Sequence, residues 1–469
     1  MSVFPNELLN GALSDQAFGE AFGQKASHIK YDHIPGPPRD SFLLGHSPSF
    51  LKVMRNGGIV QDKLLEWSET YGPVYRINIF HFVLIGVTYP LFCGLLSANQ
   101  IATHFLEFLW RLEVMFLCKT ILISRYLRGL MGTFNERAEK LMEKLTEEAD
   151  KKTEELSMLQ LFNGVTLDVI AKVAFDVDLD LQKETSPFPK AIETCLKGMV
   201  YYIRDGLFSL NPKNRPFINE VREACRLLRA TGAQWIHDRK TAIQNGDDVP
   251  KDILTQIIKT AGQDEELMVD NFVTFFIAGQ ETTANQLAFC VMELGRHPEI
   301  MEKVKKEVDD VIGMKMDIRY EDLGQLTYLS QVLKETLRLY STVPGTSRDI
   351  LEDMVIDGIR IPGGFTCMLS SYVAGRMEKF FKDPLIFDPD RFHPDAPKPY
   401  YCYYPFALGP RSCLGQNFAQ MEAKVVMAKL LQRFDFTLVP GQSFDILDTA
   451  TLRPKGGVLC SIRHRKHSQ

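Results

Sequence analysis

A cysteine near the C-terminus stands in the most specific pattern of this sequence. Phe406, Gly409, Arg411, Cys413 and Gly415 form the pattern F-x-x-G-x-R-x-C-x-G, directly before a segment with helical periodicity. Glycine and proline around the cysteine predict a rigid loop, and a helix N-terminus lowers the pKa of a thiol. A thiolate binds metals, and an arginine beside it suits a ligand that also carries carboxylates. The pattern therefore predicts a metal-binding thiolate, although most cysteines taken singly are small buried hydrophobic residues.

A polar patch interrupts the apolar centre of a long helix predicted at 264–297. Gly279, Glu281 and Thr282 lie where the helix is otherwise nearly all apolar or small. A mid-helix glycine costs about 1 kcal/mol relative to alanine, and a buried carboxyl costs more unless it is paired or protonated. One interpretation is a satisfied core patch, with Thr282 bonding to the carbonyl of Ala278 and Gly279 allowing close helix packing. The other is a ligand groove where Glu281 and Thr282 supply protons, and the sequence leaves both open.

A third group of residues pairs a carboxylate with two arginines. Glu335 and Arg338 share one helical face at i, i+3. Arg391 follows in the segment Phe387–Phe392 and is able to close a three-residue network. The same Glu-x-x-Arg spacing recurs in two pairs that we interpret as ordinary exposed ion pairs, Glu223/Arg226 and Glu293/Arg296.

The composition limits the class of protein that carries these groups. The chain has 469 residues, 45% hydrophobic and 24% charged, with a formal charge of −5. These values are typical of a soluble globular protein and exclude a disordered or polytopic membrane protein. They also give no bulk basic field for nucleic acid. The nine cysteines contain no C-x-x-C pair, which argues against a disulfide framework or a zinc module.

The periodicity predicts one large, mainly α domain with small β-sheets (α+β). The proline-rich segment 35–38 predicts an extended backbone and indicates a hinge or a domain start. Alternation at period two predicts strands at 74–79 and 82–86, and turns between short apolar runs predict more strands at 354–373. Predicted helices share apolar positions at helical spacing and lie at 133–157, 160–175, 218–244, 252–260, 264–297 and 416–434.

Neither apolar region of the chain predicts a membrane span. Residues 1–33 carry charges at short intervals, so no anchor or signal peptide is visible there. The most apolar stretch, 91–123, includes four charged residues, which favours burial against protein over lipid.

In their order along the chain, these elements resemble the cytochrome P450 haem-thiolate monooxygenases. The resemblance rests on the Ala278–Thr282 patch, the Glu335-x-x-Arg338 pair, the segment around Arg391 and the Cys413 loop. It implies the single-domain P450 fold over residues 34–465. It also implies haem b, with Cys413 as axial iron ligand.

The resemblance assigns further roles within the site. Glu281 and Thr282 match the family's acid–alcohol pair that supplies protons, and Glu335, Arg338 and Arg391 match the network that supports the haem loop. The haem contacts that it implies are Arg348 and Arg411 at the propionates, with Ala278 and Phe406 also touching the cofactor.

A finer resemblance, to the cholesterol 24-hydroxylases, implies a sterol substrate that is hydroxylated on its side chain. It rests on the segments 270–279, 328–335, 418–422 and 429–433. The pocket residues that it implies are Ala278, Thr282, Val343, Pro344, Gly345 and Thr451.

The family also implies partners and a location. Electrons come from NADPH through a cytochrome P450 reductase, at the cytosolic face of the endoplasmic reticulum membrane. Lys424, Lys429 and Arg433 on the final helix are candidates for docking an acidic reductase, or they form an ordinary solvated face.

One region departs from the family. Residues 89–130 lack the expected Trp-x-x-x-Arg motif, which Trp110 and its neighbours do not supply. Trp235 and Arg239 have the right spacing but lie on a helix too late in the chain. The alternative is therefore a catalytically impaired haem-binding variant with a disrupted substrate pocket and propionate site, and a helical scaffold without cofactor is a third possibility.

Overall fold

The computed structural model describes residues 31–41, 44–79, 82–88, 124–181, 186–204, 208–397 and 400–466. Its helices are, in chain order, α1 (Ser47–Arg55), α2 (Val60–Tyr71), α3 (Ser124–Gly129), α4 (Met131–Asp150), α5 (Met158–Phe175), α6 (Phe188–Arg204), α7 (Arg215–Asn245), α8 (Ile253–Ala261), α9 (Glu265–Arg296), α10 (Pro298–Val311), α11 (Tyr320–Gln325), α12 (Thr327–Leu339), α13 (Ser371–Arg376) and α14 (Gln416–Arg433).

The strands of the described residues are short and fall in four small sheets. They are β1 (Val74–Ile79), β2 (Phe82–Val87), β3 (Leu156–Ser157), β4 (Thr346–Ile350), β5 (Met354–Ile356), β6 (Ile359–Ile361), β7 (Phe365–Leu369), β8 (Phe434–Leu438), β9 (Ile446–Thr449), β10 (Thr451–Pro454) and β11 (Leu459–His464). One sheet has the order β1-β2-β7-β4, in which β2 and β7 are parallel. A second has the order β3-β11-β8, and β9–β10 and β5–β6 are antiparallel hairpins.

The long helix α9 runs through the core. Asp264 caps its N-terminus, because its carboxylate accepts the N–H of Leu267 at 2.9 Å, and the helix stops before His297 and Pro298. Most of its apolar side chains are buried, and those of Phe272 and Phe276 are fully buried. Because this helix is buried on nearly all sides, a polar residue within it must find its partner inside the protein.

Close packing of α5 against α9 depends on Gly279. A Cβ placed there would lie 2.5 Å from Cγ1 of Ile170, far inside van der Waals contact. The glycine therefore allows the approach of the two helices that the core-patch interpretation predicts, and its cost in helix propensity is offset by packing.

The predicted fold class is confirmed, and most predicted helix ends differ from the structure by three residues or fewer. The helix predicted to reach 157 instead ends at Asp150, because 156–157 pair with β11. Helix α6 and the C-terminal strands β8–β11 were not predicted. The strands are only four to six residues long, so alternation at period two gives little signal for them.

Membrane-spanning potential is confined to one described helix. Helix α5 is long and apolar enough to cross a bilayer, and 72% of it is buried within the protein. Such burial is typical of a core helix. The predictions for residues 1–30 and 89–123, including the one on Trp110, lie outside the described residues.

Candidate active site

A cavity of about 440 Å³ lies beside the centre of α9. Its walls come from α5, α9, β4, the C-terminal end of α12 and the segment 404–419. Its volume is in the range of small-molecule and cofactor pockets. The Cys413 loop and the Thr282 patch, which are far apart in sequence, therefore face the same cavity.

The Cys413 loop is held by its own backbone. The N–H of Cys413 donates to the carbonyl of Phe406 at 2.8 Å, and Gly409 adopts a left-handed φ of 72° in the turn between them. Gly415 then caps α14. The loop thus presents the cysteine side chain to the cavity just before a helix N-terminus.

The pKa of Cys413 shifts in the direction opposite to the sequence prediction. The sulfur is open to the cavity, yet protein surrounds the loop, and this burial raises the pKa of the thiol. A hydrogen bond involving Gly415 lowers the pKa by less. The helix N-terminus alone therefore does not lower the pKa of this thiol, and a cation bound at the sulfur would favour its thiolate form.

Two arginines place positive charge in the cavity wall. Arg348 on β4 is 1% exposed, and its Nε and Nη2 have no hydrogen-bond partner among the described residues. Burial and the nearby charge of Arg411 lower the pKa of Arg348. A buried arginine without a carboxylate partner among the described residues indicates that an anionic group completes the site. A thiol and two arginines around one cavity fit haem, which carries a metal and two carboxylates.

Thr282 lies on the cavity wall, and its neighbour Glu281 does not. The hydroxyl of Thr282 donates to the carbonyl of Ala278 at 3.0 Å. Thr282 therefore makes the hydrogen bond of the core-patch interpretation and also faces the cavity, and its role in proton supply stays a prediction. Glu281 is 3% exposed, and its Oε1 accepts from Thr451 at 3.1 Å and from Asn285 at 3.3 Å.

Glu335, Arg338 and Arg391 form the expected cluster. Arg338 makes two bonds of 2.7 Å to the two carboxylate oxygens of Glu335, and both side chains are fully buried. Arg391 Nε lies 3.3 Å from the same carboxylate, and the N–H of Asp388 donates to it at 2.8 Å. Further N–H groups of Arg338 donate to the backbone carbonyls of Gly375, Pro384 and Ile386. The cluster thus ties α12 to the segment that leads into the Cys413 loop.

The other two Glu-x-x-Arg pairs differ from each other. Glu223 and Arg226 are exposed, as predicted. The prediction was wrong for Glu293, which is 1% exposed and accepts the hydroxyl of Tyr340 at 2.6 Å in addition to Arg296. Its position on the buried side of α9 explains the difference.

The predicted contacts reach the cavity wall in most cases, at Ala278, Thr282, Val343, Gly345 and Phe406. Two do not. Pro344 is buried, and its carbonyl accepts the N–H of Tyr372, so this residue belongs to the packing of α13. Thr451 is directed to Glu281 instead of the cavity.

Some wall residues were not predicted from the sequence. Thr274 and Phe275 lie about one turn before Ala278 on the same helix, so helical spacing was a usable signal for them. Ile170 and Val173 come from α5, and no local motif marks them.

The basic residues of α14 do not form a free docking face. Lys429 is 1% exposed and binds the carboxylate of Glu139 at 3.0 Å, and Arg433 binds the same carboxylate at 2.9 Å. Lys424 donates to the carbonyl of Leu323 at 2.9 Å. Both predicted roles, docking and a solvated face, are therefore wrong for Lys429, because α4 packs over this side of α14.

The Trp-x-x-x-Arg spacing at Trp235 and Arg239 has a structural role. Arg239 lies 2.7 Å from both carboxylate oxygens of Asp252 and also donates to the carbonyl of Phe175. Neither Trp235 nor Arg239 lines the cavity in the described part of the chain.

Comparison with known proteins identifies the family. The family model "Cytochrome P450" matches residues 108–461. Cytochrome P450 4d2 of Drosophila melanogaster is 26% identical over 486 residues, covering 92% of this chain and 94% of that protein. Human Cytochrome P450 4X1 is 30% identical over 325 residues, covering 64% of this chain and 63% of that protein. Rat Cytochrome P450 4B1 is 27% identical, covering 91% and 89%. With its cysteine, arginines and threonine at one cavity, the chain belongs to the cytochrome P450 family.

Proposed function

We propose that this monooxygenase inserts one oxygen atom from dioxygen into the side chain of a sterol. The observation that carries the proposal is the apolar wall of the cavity. Its described wall is mostly apolar, and its only cations there are Arg348 and Arg411, which the haem carboxylates would occupy. A neutral lipid fits such a wall better than a lipid with a free carboxylate, which would need its own cation. The resemblance of segments 270–279 and 328–335 to sterol hydroxylases supports the same substrate class.

The family's cofactor is haem with a thiolate-ligated iron, supplied with electrons from NADPH through a reductase. Cys413 would bind the iron, and Arg348 and Arg411 would bind the propionates. When bound, haem supplies the activation of dioxygen for insertion into a C–H bond.

The residues of the chain contribute position, exclusion of water and protons. Phe275, Ile170 and Val173 provide apolar surface that holds the lipid and excludes water. The Thr282 hydroxyl faces the cavity while it donates to the Ala278 carbonyl, so its oxygen is able to accept a hydrogen bond from a group in the cavity and keep that group's proton there. We also propose that the enzyme works at the cytosolic face of the endoplasmic reticulum membrane, which rests on family resemblance alone.

Ligand binding and turnover test the proposed substrate. We expect cholesterol to shift the absorption spectrum of the haem-loaded protein, and turnover with NADPH and reductase to give a side-chain alcohol. A long-chain fatty acid is the matched comparison, because its carboxylate finds no free cation in the described wall. Hydroxylation of the fatty acid but not of cholesterol would overturn the sterol proposal and leave the monooxygenase assignment intact. A spectrum typical of thiolate-bound haem with no response to either lipid would instead favour the impaired variant.

Replacing Thr282 separates proton supply from substrate binding. We expect Thr282→Val to bind substrate normally, since valine has nearly the same shape, but to lower product formed per NADPH consumed by about 10- to 100-fold. Thr282→Ser keeps the hydroxyl and is the control. The measurement is the ratio of product to NADPH with peroxide release; an unchanged ratio in Thr282→Val would remove the hydroxyl from the mechanism.

A further inference from the structure

The carboxyl of Glu281 is held on the side of α9 that faces the C-terminal hairpin. Its Oε1 accepts the hydroxyl of Thr451 on β10 at 3.1 Å, and the side chain of Asn285 reaches both partners, at 3.3 and 3.4 Å. All three side chains are buried. Glu281 therefore lies next to Thr282 in sequence but has its carboxyl fixed outside the cavity wall.

An ion pair connects the same hairpin to helix α6. Arg453, two residues after Thr451, lies 2.6 Å from the carboxylate of Glu193 on α6. Lys197, on the next turn of α6, also binds Glu193, at 2.5 Å. A chain of contacts thus runs from α6 through β10 to the acid on α9.

The electrostatics of Glu281 follow from these neighbours. Burial raises the pKa of Glu281, while the charge of Arg453 and the hydrogen bonds from Asn285 and Thr451 oppose the rise. The negative charge of Glu193 raises the pKa of Glu281 further. Among the described residues, Arg453 on β10 and Glu193 on α6 are the charged groups that act on this carboxyl, and their signs are opposite.

We propose that Thr451 and the Glu193–Arg453 pair are positioning residues for Glu281, which hold its carboxyl against β10 and set the charge that it carries. A change in the position of α6 relative to the hairpin would then change the pKa of Glu281, the acid next to Thr282 in sequence. This proposal rests on the role of Glu281 in proton supply, and it gives Thr451 a task other than the substrate contact expected from the sequence.

An infrared titration of the haem-loaded protein tests the proposal without substrate. The C=O stretching band of a protonated carboxyl, identified as the band lost in Glu281→Gln, reports directly on the protonation of Glu281. In Thr451→Val the carboxylate loses a hydrogen bond that favours its charged form, so we expect the titration midpoint to rise by about one pH unit. Thr451→Ser keeps the hydroxyl and should titrate like the wild type. An unchanged midpoint in Thr451→Val would overturn the proposal.

Two further variants test whether the Glu193–Arg453 pair acts on Glu281 through its charges or only by holding the hairpin in place. Arg453→Gln removes a positive charge and should raise the midpoint, whereas Glu193→Gln removes a negative charge and should lower it. Both substitutions break the same ion pair, so a purely structural link would move the midpoint in the same direction in both. Arg453→Lys keeps the charge and should restore the wild-type midpoint. Because no variant is judged by sterol turnover, failure of the substrate proposal leaves these outcomes unchanged.

Discussion

Cys413→Ser is expected to abolish the red-shifted absorption band of the reduced, carbon-monoxide-bound protein. Serine keeps the shape of the loop, but its hydroxyl is neutral near pH 7 and is a much poorer ligand for iron than a soft thiolate. Residues that merely support a metal ligand change activity by up to about 100-fold, so loss of the ligand itself should reduce product formation by at least about that factor. The measurement is the difference spectrum together with haem content per protein.

Cys402→Ser is the matched control for this substitution. Cys402 is a buried free cysteine eleven positions earlier, with its thiol directed to the carbonyl of Tyr400 at 3.4 Å, and it does not line the cavity. We expect this variant to keep the band and its haem. A normal band in Cys413→Ser, or its loss in Cys402→Ser alone, would show that Cys413 is not the iron ligand.

The Cys413 loop was predictable because the residues that shape it are close together in the sequence. The glycines and the arginine that shape the loop lie within ten residues of the cysteine, and the chain needs no distant partner to form the turn. Arg348 was identified only by resemblance, since a lone arginine in a strand carries no signal of its own. Its significance became visible when the fold left its Nε and Nη2 buried without partners.

The direction of side chains was the part that sequence could not predict. Glu281 and Thr282 are adjacent, and a helix turns about 100° between them, so one faces the cavity while the other faces β10. Which of the two does so depends on how α9 is rotated against its neighbours. The same limit applies to Lys429, whose burial depends on Glu139 of α4, a helix far away in the chain.

The network that supports the haem loop contains a buried ion pair, Glu335–Arg338, and removing one partner of such a pair costs free energy of folding. Burial raises the pKa of Glu335, and the hydrogen bonds and charge of Arg338 oppose that rise. Arg338 in turn has no other carboxylate within reach in the described structure, because its remaining contacts are backbone carbonyls. Removing the carboxylate therefore leaves a fully buried cation without a counter-charge among the described residues.

We expect Glu335→Ala to lower the free energy of unfolding by about 3–5 kcal/mol and to reduce haem retention. Glu335→Gln keeps an oxygen that is able to accept the N–H of Asp388, so its loss should be smaller, which keeps the test informative if the alanine variant does not fold. Glu223→Ala is the matched control, since it has the same spacing to an arginine but is exposed, and it should change stability by no more than about 0.5 kcal/mol. Denaturant midpoints and haem content measure all three. If Glu335→Ala matched Glu223→Ala in both quantities, the buried network would not be what holds the Cys413 loop in place.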